Sequence, residues 1–250
     1  EGGDPRIVAT HPGGFEGIAV RGTTLLAFAN TLPHSETLEQ ETERRKERAE
    51  KKVSAILHTS YPVRYWDHDL GPGYPRAYVA DLAELATADR LTLRDLTPDA
   101  GKSLTAAHAD LSPDGAFIAT SWTVPLARGD FRNALARIDT ATGERRILVD
   151  DPAAEFFAPA ISPDGTQIAV IVDMLSTPEL APSTHLELVD SGTGERRRLL
   201  EGWDNWPGHP VWLRDGSALV MAADTDGRAP LYLVPLDGSE PRRLTADGTY

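Results

Sequence analysis

Ser112-Pro113-Asp114-Gly115 recurs as Ser162-Pro163-Asp164-Gly165 fifty positions on, and Arg214-Asp215-Gly216 brings back the Asp-Gly pair 51 later. A degenerate copy, Arg21-Gly22, lies 93 positions before the first. Self-similarity at this period marks stacked supersecondary units. Pro presets φ, Asp bonds the backbone two residues on and Gly accepts a positive φ, so each copy reads as a tight turn. A short apolar run follows each Gly: Leu25 to Phe28, Phe117 to Ala119, Ile168 to Val172 and Leu219 to Ala222. An apolar residue precedes each turn, at Ile18, Leu111, Ile161 and Trp212. Short aliphatic runs bounded by Pro, Asp and Gly predict buried strands.

A second hairpin follows in each unit. Leu135 to Asp139 turns at Thr142-Gly143 and returns at Arg146 to Leu148. His185 to Asp190 returns at Arg197 to Leu199, and Leu231 to Val234 turns at Asp237-Gly238 and returns at Arg242 to Leu244. Period-two alternation predicts half-exposed antiparallel strands. Four strands per fifty residues is the blade of a β-propeller. No long amphipathic helix separates the strands, which disfavours a parallel sheet.

Glu1 to Val8 matches Asp237 to Leu244 position by position. The expected organisation of 1–250 is therefore all-β, an incomplete β-propeller. Residues 1–10 are the outer strand of a preceding blade, 11–99 a blade with an insertion at 33–60, and 100–150, 151–202 and 203–250 three further blades.

The chain has 250 residues, enough for a substantial core. Its net charge of −13 repels phosphate backbones, so no nucleic acid is expected as partner. No apolar stretch approaches a membrane span, so no membrane is expected either. Zero cysteines exclude disulfides and thiolate metal sites and fit a cytoplasmic location.

Within the insertion, Thr37-Leu38-Glu39-Gln40 has capping-box spacing, and Glu41–Arg45 and Glu47–Lys51 are helical pairs of favourable order. With little apolar stripe to dock, the segment reads as a solvated helix or mobile loop, or alternatively as a gating or partner-binding arm. The densest aromatic and charged cluster follows, Tyr61 to Asp69 and Pro72 to Asp81. Here Arg64 and Asp67 are expected to pair and Trp66 to pack between blades, with a substrate-facing role as the alternative.

Val63-Arg64-Tyr65-Trp66-Asp67-His68-Asp69 after a charged helix, with Ser-Pro-Asp-Gly blades downstream, resembles the propeller of the prolyl oligopeptidase family of serine peptidases. The acylaminoacyl-peptidase and dipeptidyl-peptidase branch is the nearest in pattern. The turns alone are shared with TolB-like propellers. The resemblance implies a propeller that restricts entry to a C-terminal α/β-hydrolase domain, which cleaves short peptides by a Ser-Asp-His triad. No Gly-x-Ser-x-Gly elbow occurs here, so the resemblance places that domain beyond Tyr250 and carries no catalytic residue onto this chain. A homo-oligomer is a further implied possibility, and a TolB-like binding scaffold without activity is the rival reading.

Other chemistry is sparse. Ser112 and Ser162 read as turn caps, not nucleophiles. His11, His34, His58, His68, His108, His185 and His209 form no His-x-x-x-His pair, and Asp67-His68-Asp69 offers at most two converging donors, so no metal or cofactor is expected. Asp224-Thr225-Asp226-Gly227 fails as a calcium loop and reads as a hairpin turn. Asp150, Asp151, Glu155, Glu201 and Asp204 sit in inter-blade connections, as solvated acids or, alternatively, as binders of a substrate amine. Trp203, Trp206, Trp212, Phe156 and Phe157 are expected to pack between blades.

Overall fold

The structure is a computed structural model that describes residues 4–105 and 107–246. The chain divides into two compact units: the residues up to Thr105 with Pro125–Phe131, and the remainder.

The first unit holds one four-stranded antiparallel sheet in the order β1 (Phe15–Arg21), β2 (Thr24–Thr31), β5 (Tyr74–Asp81), β6 (Arg94–Asp95). Helix α1 (Leu38–Glu50) and a two-residue hairpin, β3 (Arg64–Tyr65) with β4 (His68–Asp69), lie between β2 and β5. Residues 4–10, the described part of the outer strand expected over 1–10, join no ladder within this chain, and the Val8 carbonyl accepts from Leu91 N–H at 2.8 Å. Residues 1–3 of that expectation fall outside the described residues.

The second unit stacks three sheets of the same make. One runs β7 (Ala109–Leu111), β8 (Phe117–Pro125), β9 (Phe131–Asp139), β10 (Arg145–Val149); the next runs β11 (Ala154–Ile161), β12 (Gln167–Met174), β13 (Ser183–Asp190), β14 (Arg196–Leu199). The last has β15 (Trp206–Pro207) and β16 (Val211–Trp212) both on β17 (Ala218–Asp224), then β18 (Leu231–Pro235) and β19 (Arg242–Arg243). We number these four sheets as blades one to four.

The turns work as their residues dictate. Ser112 Oγ accepts from Phe117 N–H at 3.0 Å and donates to Asp114 at 2.7 Å; Ser162 Oγ does the same for Gln167 N–H at 2.9 Å and Asp164 at 2.6 Å. Gly115 and Gly165 take φ of 74° and 76°. Asp226 and Gly227 both have positive φ between the paired Thr225 and Arg228, the type I′ geometry that suits a hairpin's twist.

Blade three shows where the core sits. Ile168, Val170 and Val172 of β12 join Phe117, Ala119 and Leu135 of blade two in one cluster. Ala169 and Ile171, on the opposite face, join Leu219, Met221 and Val234 of blade four in another. The first strand of its second hairpin is therefore not half-exposed: Leu186 to Val189 are all buried, because alternation here separates two covered faces, whereas Arg197 and Arg198 on the returning strand β14 are exposed. Phe156 is fully buried, and Phe157, Trp203 and Trp212 pack against the blade three–four cluster. Trp206 does not; it is 51% exposed. The chain is an incomplete β-propeller.

Candidate functional site at the inner edge of the blades

In a propeller the first strand of each blade faces the axis. Across the second unit these strands are tied edge to edge. Asp110 Oδ2 accepts from Ile161 N–H at 2.8 Å, and Trp212 Nε1 donates to the Ala160 carbonyl at 2.8 Å. The first strands of blades three and four are irregular at one repeat phase, and that of blade two begins there. The β11–β12 register shifts between Phe157 and Ala160, where Ala158 has φ of 47°. Gly208-His209-Pro210 separates β15 from β16. Immediately before β7, His108 donates through its N–H to Ser121 Oγ at 2.9 Å and accepts at its carbonyl from Ser121 N–H at 3.0 Å. Irregularities of this kind re-aim a side chain.

The residues at that phase are His108, Ala158 and His209, each four positions before its turn. The two imidazoles meet with centroids 5.0 Å apart and planes at 61°. The small Ala158 in the intervening blade is compatible with that approach. Both histidines are exposed, and so are Trp206 and Val211 beside them in sequence. Partial desolvation, helped by the neighbouring His209, lowers the pKa of His108 and favours a neutral ring that accepts.

Three of the five inter-blade acids have structural partners. Asp150 takes a bidentate pair from Arg132 at 2.6 and 2.7 Å. Asp151 accepts from Arg196 at 2.8 Å, and Glu155 accepts from Asn133 N–H and Nδ2 at 3.0 Å each. Glu201 and Asp204 are exposed. Arg196 also grips buried Glu187 (Nε to Oε2, 2.7 Å), which accepts from His185 Nε2 at 2.9 Å. Burial pushes Glu187 up, but the His185 and Arg196 hydrogen bonds and the Arg196 charge outweigh it and hold the carboxyl below its usual range.

In the first unit, α1 is docked by charge. Its Thr37 cap accepts from Gln40 N–H at 3.2 Å, and Gln40 Oε1 reaches past the cap to Glu36 N–H at 2.9 Å. Glu41, only 1% exposed, accepts from Leu32 N–H at 3.0 Å and Arg45 Nε at 2.6 Å, and Arg45 Nη2 donates to the Asn30 carbonyl at 2.8 Å. A buried carboxylate thus replaces the missing apolar stripe. A cleft of about 340 Å³ opens beside the start of α1, lined among others by Ser35, Glu39, Tyr78 and Asp95, and Ser35 Oγ is buried without a partner.

The aromatic cluster differs from expectation. Arg64 pairs with Asp69 at 3.5 Å, its partner across the β3–β4 ladder, and not with Asp67. Trp66 is 98% exposed with φ of 51°, because it sits at the tip of that hairpin, where no blade covers it. Tyr61 and Tyr65 pack on Phe131, with centroids 6.0 and 6.3 Å away. Lys102 Nζ donates to the Pro62 carbonyl at 2.6 Å and to the Ser60 carbonyl, and desolvation lowers its pKa. Asp67-His68-Asp69 is exposed, and no group of three or more His, Asp or Glu able to hold a metal occurs among the described residues.

No family profile matches the chain. Among solved structures it is similar to the Pyrococcus horikoshii acylaminoacyl peptidase, with a TM-score of 0.59 at 15% identity over 93% of this chain and 32% of that one. It is also similar to a TolB from Agrobacterium tumefaciens, with a TM-score of 0.50 at 21% identity over 69% of this chain and 55% of that one. The tricorn protease matches with a TM-score of 0.54 at 10% identity, over 89% of this chain and 18% of that one. The chain therefore spans about a third of the peptidase and about half of the TolB. No helix among the described residues is long and apolar enough to cross a membrane. What these likenesses share with the blades described above is the fold, and the chain is part of a propeller of the kind found in both peptidases and TolB.

Proposed function

We propose that this chain is the non-catalytic propeller portion of a serine peptidase of the prolyl oligopeptidase kind, which admits short peptides to a hydrolase domain and turns folded proteins away. The supporting observation is coverage. The peptidase likeness runs over 93% of the chain, the TolB likeness over 69% at a lower TM-score. The charged helix and the Arg64–Asp69 hairpin, which carry the sequence resemblance, fit the same reading. The role is steric and electrostatic: exposed His108, Trp206, His209 and Val211 edge the passage, and acyl transfer through a serine ester takes place in the partner domain. A cytoplasmic location and assembly into a homo-oligomer belong to the same proposal. The second reading, a TolB-like binding scaffold, has the Agrobacterium likeness in its favour.

Labelling the full-length gene product with a fluorophosphonate separates the two. The peptidase reading expects one serine adduct and hydrolysis of short blocked peptides but not of a folded protein. A folded product that takes no adduct and cleaves no peptide overturns it.

A further inference from the structure

We propose that His108 and His209 form a two-imidazole site for a late divalent transition-metal ion of the zinc type, at the inner edge where blades two to four converge. The inference goes beyond the peptidase reading and does not depend on it.

Geometry is the first support. Two imidazole nitrogens about 2.0–2.1 Å from one tetrahedral Zn²⁺ place their ring centroids roughly 5 Å apart. The rings stand 5.0 Å apart with planes at 61°, a centroid separation that matches this requirement. Position is the second. The His108 backbone is held at both N–H and carbonyl by Ser121, and Gly208 N–H beside His209 donates to the Ala222 carbonyl at 2.7 Å. The ligands thereby sit at the start of β7 and in the break between β15 and β16, each flanked by backbone that is hydrogen-bonded to the next strand of its own blade. Access is the third, because both histidines are exposed.

Ligand chemistry selects the ion. Imidazole suits Zn²⁺, Ni²⁺ and Cu²⁺, whereas Mg²⁺ and Ca²⁺ demand oxygen donors. Two protein ligands leave two tetrahedral positions for water or for donor atoms of a bound molecule. Repetition is a further pointer: the histidines occupy equivalent positions 101 residues, or two periods, apart.

The test is a calorimetric Zn²⁺ titration of the intact chain near pH 7.5, with Mg²⁺ as control and far-UV circular dichroism to confirm folding of each variant. Expected is one bound Zn²⁺, weakened more than about tenfold by His108→Asn or by His209→Asn, a change of at least 1.4 kcal/mol. His58→Asn and His68→Asn leave it unchanged. Cu²⁺ at the site shows nitrogen hyperfine structure from two imidazoles by electron paramagnetic resonance. Zinc affinity unchanged in both inner-edge variants, or a single coordinating nitrogen, overturns the proposal.

Discussion

Glu187→Gln removes one charge from the network that joins blade three to its connection from blade two and keeps the side-chain volume. Glu187 is 8% exposed at its side chain, accepts from His185 Nε2, and takes Arg196 through both Nε at 2.7 Å and Nη2 at 3.2 Å. Removing one member of a fully buried ion pair costs about 3–5 kcal/mol, because the remaining charge stays unmatched. Arg196 is less confined: its side chain is 29% exposed, and Asp151 at 2.8 Å remains as partner. The expected loss at pH 7 is therefore about 2 kcal/mol, which for a chain of this size lowers the melting temperature by about 4–8 °C. The pH dependence has a definite sign. The folded pKa of Glu187 lies below its usual value of 4.5, so the unfolded chain binds more protons as pH falls through that window. The contribution is complete above about pH 4.5 and is lost as pH falls through the folded pKa. Urea unfolding followed by tryptophan fluorescence at pH 7 and pH 4 measures it, since Trp122, Trp203, Trp206 and Trp212 all lie in the second unit. A loss under about 0.5 kcal/mol at pH 7, or a gap between wild type and variant that does not narrow at pH 4, refutes the reasoning.

Two further substitutions separate local from long-range constraints. Gly194→Ala and Gly238→Ala both force alanine into positive φ, at 82° and 81°, which costs each about 1–2 kcal/mol. A Cβ at 194 also meets the Leu148 carbonyl oxygen at 2.5 Å while one at 238 meets nothing within 4 Å, so Gly194→Ala should be clearly the more destabilising in urea unfolding, and equal losses contradict the register of blades two and three. Trp66→Ala should leave stability within about 0.5 kcal/mol, because a side chain 98% exposed has no packing to lose; a larger loss restores the packed position expected from sequence.

The strands and turns were legible because their signals are local. Pro-Asp-Gly chemistry and short aliphatic runs mark them, and the Ser112 and Ser162 caps follow from the same four residues. What escaped depends on partners distant in sequence. Glu41 reads as a helical partner of Arg45, and only the fold reveals that it also caps the free N–H of Leu32 at the end of β2. Trp66 reads as core by composition, yet a two-residue ladder places it at a hairpin tip. Asp150, Asp151 and Glu155 read as solvated acids until arginines and an asparagine from neighbouring strands reach them. The histidine pair did leave a trace. His108 and His209 are invisible to a search for His-x-x-x-His, but they fall at one repeat phase, and comparing phases across blades finds them.

The central claim is that equivalent positions of consecutive blades converge on one inner edge. The chain has no cysteine, so His108→Cys with His209→Cys supplies its only two thiols. The account predicts that a short bismaleimide joins them within one molecule, giving a linked 108–209 peptide from monomer. A control pair, His108→Cys with Ile147→Cys, is much closer in sequence but runs from the start of the first strand of one blade to its last strand, about 14 Å apart at three strand spacings, and should not be joined by the short reagent. Cross-linking of the control pair, or linkage of 108 to 209 only between molecules, contradicts the account.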